Sequence, residues 1–131
     1  WTFQKKEAEK EFDLVSPYTK KIASKFVAAT GIDEYFGNGM DISSAKSERP
    51  SNPNSYHPKG KAIDLKFKSM KMEMAALQKI ANLFTNPEET YRKLLSSKYV
   101  ELPSQDGKNK VRILYHADDD GSGKHIHLEI L

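Results

Sequence analysis

The chain has 131 residues, and its four histidines, His57, His116, His125 and His127, fall in two places: ahead of a strand-like stretch around Asp64, and in the last segment. With no cysteine present, thiolate zinc sites, disulfides and cysteine nucleophiles are ruled out, and a transition metal has to be held by His, Asp or Glu. A catalytic zinc takes three nitrogen or oxygen ligands from the protein and keeps a fourth position open for water. A histidine–carboxylate pair with a distant second histidine supplies that set, and His57, Asp64 and His127 fit it. His57 lies in the run Ser55-Tyr56-His57-Pro58-Lys59-Gly60-Lys61-Ala62-Ile63-Asp64. Gly60 allows a tight bend there, so a loop histidine can fold back toward a carboxylate on the strand that follows.

The elements that would position these residues can be read from periodicity. Phe3 to Gly31 reads as helix. Ser16 and Pro17 form a cap and first turn, Ile22, Phe26 and Val27 an apolar stripe, and Gly31 a stop; the piece before Ser16 is a candidate separate helix. Residues 33–54 are rich in Gly, Ser, Asn and Pro and read as loop, broken by a short strand over Met40 to Ser44. Ala62 to Phe67 alternates with period 2, which predicts a half-buried strand with Ala62, Asp64 and Lys66 on one face. Ser69 caps a helix whose core stripe is Met70, Met74, Leu77, Ile80, Ala81 and Phe84. Asn86-Pro87-Glu88-Glu89 opens another helix, running to about Ser97. Val111 to His116 and His125 to Leu131 form a hairpin. Symmetric pairing puts Tyr115 against Ile126, Ile113 against Leu128 and Val111 against Ile130 on an apolar face. His116 then faces His125, Leu114 faces His127 and Arg112 faces Glu129 on the other face.

Taken together, His57, Gly60, Ala62 and Asp64 followed downstream by His125-Ile126-His127 resemble the signature of the M15-type zinc D,D- and L,D-peptidases and their hedgehog-like relatives. Ser55 also suits that pattern, and the order of elements covers most of the chain. The resemblance implies an α+β fold with an antiparallel sheet and helices packed on one side. It also implies zinc on His57, Asp64 and His127, and hydrolysis of peptide bonds in bacterial peptidoglycan. By the same resemblance, His125 matches a histidine beside the metal that stabilises the transition state or helps the water. Many members carry a carboxylate general base three residues before the last ligand, where this chain has Lys124. Asp118, Asp119 and Asp120, with Asp120 preferred, or Glu129 are the carboxylates that could replace it. For the Asp run the competing reading is a solvated turn, and for Glu129 a pair with Arg112. The family's basic substrate contact before the first motif maps onto Lys46 or Arg49, each of which is equally read as an exposed charge. Ser55 and His116 are further substrate-side candidates; His116 could instead support His125 or lie on the surface, and Tyr56 could line a groove or pack locally.

Composition bounds these readings. A hydrophobic content of 37% and a charged content of 30% suit one globular domain spanning residues 1–131. The start at Trp1, without an initiator Met, points to a processed or partial chain. No apolar run approaches the roughly 20 residues that span a bilayer. A net charge of +3 favours a polyanionic partner only mildly, and Lys59, Lys61, Lys66, Lys68 and Lys71 read as a solvated face rather than a nucleic-acid site. The expected partner is a peptidoglycan peptide. The expected setting is periplasmic, wall-associated or extracellular, with an endolysin or other phage enzyme, a wall-remodelling enzyme and a secreted effector all open. The alternative function is an inactive zinc- or wall-binding module of the same fold, because fold does not fix activity.

Overall fold

Strand order and register follow from where the apolar residues alternate. In the computed structural model, which describes residues 1–47, 54–117 and 124–131, five strands form one antiparallel sheet in the order β1-β2-β5-β4-β3. They are β1 (Met40–Ser44), β2 (Ala62–Phe67), β3 (Val100–Pro103), β4 (Lys110–His116) and β5 (His125–Ile130). Four α-helices accompany them among the described residues: α1 (Lys6–Asp13), α2 (Pro17–Thr30), α3 (Met70–Ala81) and α4 (Pro87–Leu95). This is an α+β architecture. No helix among the described residues is long and apolar enough to cross a membrane.

The helix starts and stops lie where side-chain chemistry puts them. Ser16, Ser69 and Asn86 each accept a hydrogen bond from the backbone N–H three residues on, at Thr19, Met72 and Glu89, which satisfies a donor the helix itself leaves open. Gly31 ends α2 at φ 81°, a left-handed conformation open to glycine at little cost. The hairpin register is the symmetric one, with Tyr115 opposite Ile126, Ile113 opposite Leu128 and Val111 opposite Ile130. These residues join Ile63 and Leu65 of β2, Ile22 and Phe26 of α2, Leu77 and Ile80 of α3 and Leu94 of α4 in one buried cluster.

Four expectations need correcting. Phe3 is not helical but bridges to Ile42 beside β1. β2 is buried on both faces over Ala62, Ile63, Asp64 and Leu65, because its polar face is covered by the side chains described below. Met70 is 59% exposed, whereas Glu73 is buried and its Oε2 accepts a 2.8 Å hydrogen bond from the Tyr115 hydroxyl. Strand β3 falls in a stretch without a strand signal. It has four residues, lies at the sheet edge and ends on Pro103, a residue tolerated only where no ladder hydrogen bond is needed.

The turn carrying His57 depends on Gly60. It sits at φ 69°, and a Cβ there would lie 3.3 Å from the backbone carbonyl oxygen of Leu14, while its own carbonyl accepts from Ser16 N–H. Gly60→Ala is expected to cost about 1–2 kcal/mol from the left-handed backbone alone, and to weaken metal binding by displacing His57. Denaturant unfolding and zinc titration of the variant check both, and wild-type values in each would refute the role given to this turn.

Candidate metal centre

The polar face of the sheet is assembled by register. Asp64 on β2 is the direct partner of His127 on β5, His127 also faces Leu114 on β4, and His116 faces His125. His57 comes from the turn ahead of β2, and its amide donates to Ser55 Oγ at 3.3 Å. His57, Asp64, His125, His127 and Glu129 are all buried, at the base of a cavity of about 770 Å³.

The three expected ligands converge. One ligand atom from each of His57, Asp64 and His127 lies within 4.8 Å of the others, so this buried group could hold a metal ion. His57 Nε2 is 3.3 Å from Asp64 Oδ2, and His127 Nδ1 is 2.8 Å from Asp64 Oδ1. Donors about 2.0–2.1 Å from a tetrahedral ion stand roughly 3.3 Å apart, so only small movements are needed. The donor chemistry fits too. His57 Nδ1–H donates to the Ala45 carbonyl at 2.6 Å, which leaves its Nε2 lone pair for the ion.

Electrostatics reflect the same packing. Burial opposes ionisation of Asp64, but hydrogen bonds and charge from His127 and His57 outweigh it and hold the carboxyl well below the usual range. Burial likewise disfavours a charged His127, yet its ring lies between Asp64 and Glu129, which raise its pKa to about 9. The metal-free ring therefore carries both protons near neutral pH, and a metal bound to it has to displace one of them.

The remaining candidates divide clearly. His125 Nε2 is 3.8 Å from Asp64 Oδ2, and the His125 ring stacks on His116 with centroids 4.5 Å apart. Ser55, Tyr56 and His116 line the cavity. Lys46 is not among the described residues that line it, and its stem lies over Gly60. Glu129 Oε1 is 2.7 Å from His127 Nε2, and Oε2 accepts from Arg112 Nε at 3.0 Å and from its Nη2. Lys124 lines a separate shallow hollow with Phe67 and Met70. Arg49, Asp118, Asp119 and Asp120 lie outside the described residues.

Two contributors carry no signal in the sequence. Glu11 of α1 accepts from Ala45 N–H at 2.9 Å and Ser44 Oγ at 3.1 Å, which fixes the strand end whose carbonyl orients His57. Tyr99, just before β3, stacks against Arg112 at the cavity wall.

Comparison of the chain with protein-family models, with curated proteins and with solved structures found no match in any of the three.

The paired charges set a pH dependence for the metal-free protein. Asp64 is depressed, so its contribution is present above its ordinary value of 3.8 and lost as pH falls below it. His127 is raised, so its contribution is complete below 6.5 and lost as pH rises through about 9. Chelator-treated protein is therefore expected to be less stable at pH 9.5 than at pH 6, by on the order of 1–3 kcal/mol. In His127→Gln this difference should largely vanish. Urea unfolding at the two pH values checks it, and an equal difference in the variant would refute the assignment.

Proposed function

We propose that the chain is a zinc-dependent peptidase acting on peptide bonds of bacterial peptidoglycan, with the hedgehog-like fold of the M15-type peptidases. The observation that carries this reading is the convergence of His57, Asp64 and His127 at the base of an open cavity. Two imidazoles and one carboxylate with a position left for water suit zinc in a hydrolytic role better than a closed structural site. A zinc ion held there would supply Lewis-acid polarisation of a carbonyl and acidify a water.

The chain's own residues supply the rest of the chemistry. Asp64 offers a negative charge that favours a cation, and its histidine neighbours hold the carboxyl well below the usual carboxylate range. His125, beside Asp64 and stacked on His116, is the group this reading assigns to proton transfer or to the developing oxyanion. Tyr56, Tyr99 and Ser55 line the wall against which a peptide would lie.

One observation favours a second reading, a zinc- or wall-binding module without turnover. Three of the described carboxylates that line the cavity are engaged: Asp64 by His57 and His127, Glu129 by His127 and Arg112, and Glu11 by Ala45 and Ser44. On that reading His125 alone does not support catalysis.

Mass spectrometry of defined muropeptides incubated with zinc-loaded protein separates the two. A peptidase yields zinc-dependent products whose masses identify the bond. His57→Ala and Asp64→Ala should each lose more than the roughly 10–100-fold that outer partners of metal ligands are worth. No product from protein carrying stoichiometric zinc would overturn the peptidase and leave the binding module.

A further inference from the structure

Glu129 enters as a possible general base, but its surroundings give it a different task. Its side chain is 3% exposed, and a buried carboxylate costs several kcal/mol unless hydrogen bonds and charge compensate it. Compensation comes from two sides. One oxygen accepts from His127 Nε2 and the other from the Arg112 guanidinium.

Arg112 is itself held. Its guanidinium carbon lies 4.6 Å from the Tyr99 ring centroid and 5.7 Å from that of Tyr56, close enough for cation–π attraction to both. Glu129 is also the cross-strand partner of Ala62. If strand pairing were the only role, a surface Arg–Glu cross-strand pair would suffice. A buried carboxylate 2.7 Å from His127 Nε2, on the far side of the ring from Asp64, does something such a pair does not: it offers a fixed acceptor for the Nε2 proton.

We infer that Glu129, anchored by Arg112 between Tyr56 and Tyr99, is a positioning residue that fixes His127 as an Nδ1 donor to the metal. An acceptor on Nε2–H selects the tautomer with its lone pair on Nδ1, restrains the ring plane and makes the donor more basic. It acts through His127 and not on the substrate. The inference rests on the metal centre described above and is independent of whether that centre cuts peptides.

The test is zinc affinity, measured by competition with a chromophoric chelator, for the wild type, Glu129→Ala, Glu129→Gln and Arg112→Ala. Long-range ¹⁵N spectra of the histidines in the zinc-loaded wild type accompany it. Glu129→Ala is expected to bind zinc roughly 10–100-fold more weakly. Glu129→Gln keeps an acceptor oxygen and is expected to recover most of that loss, and Arg112→Ala to fall between. The spectra should show His127 protonated at Nε2 and coordinated through Nδ1. Unchanged affinity in Glu129→Ala, or coordination through Nε2, would overturn the inference while leaving the metal centre standing. A wild type that binds no zinc would overturn both. Should Glu129→Ala not fold, the wild-type spectra and the Glu129→Gln affinity decide.

Discussion

Asp64 and His127 meet because β2 and β5 pair in one particular register, and the polar face of the molecule is organised around that meeting. The same register places Ile63 opposite Leu128 and Leu65 opposite Ile126, so the apolar cluster and the ligand pair are fixed by one alignment. A slip of one residue would turn Asp64 and His127 into the core and Ile63 and Leu128 out of it. The hydrophobic contacts of α2 and α3 against the sheet therefore hold the centre's geometry although they touch none of its atoms.

Burying so many ionisable groups on one sheet face would be destabilising if each stood alone. They do not. Asp64 is shared by His57 and His127, Glu129 by His127 and Arg112, and the second nitrogen of His57 donates to the Ala45 carbonyl. The metal-free arrangement is thus balanced by protons and guanidinium, and a cation entering at Asp64 replaces a proton rather than filling an uncompensated hollow. This is why the two histidine ligands are each tied from behind, His57 through Ala45 and His127 through Glu129. Untied imidazoles would be free to turn the wrong nitrogen inward.

How much of this was legible depended on whether the deciding interaction was local. The hairpin register, the caps at Ser16, Ser69 and Asn86, and the limits of β1 and β2 follow from alternation and capping chemistry, which act over a few residues. The approach of His57 to Asp64 was legible from the bend at Gly60, whereas that of His127 depends on β2 pairing with β5 and was carried in the sequence by the type and order of the motif residues alone. What escaped depends on contacts between distant segments. β3 exists because β4 has an open edge beside it, not because Val100 to Pro103 insists on a strand. Met70 is exposed and Glu73 buried because Tyr115 offers Glu73 a hydrogen bond from across the sheet. Glu11 reaches the site only because α1 packs along β1, and nothing in its own helix marks it.

The three candidate ligands are not equivalent mechanically. Asp64 and His127 sit on adjacent central strands, where a side chain can move little without disturbing the sheet. His57 sits on a turn, held by Gly60, Ser55 and the Ala45 carbonyl. A site built this way has two donors set by strand register and a third set by the hydrogen bonds of the turn before β2. That segment also carries Ser55 and Tyr56 into the cavity wall. The turn that places His57 therefore also places part of the wall that faces the cavity.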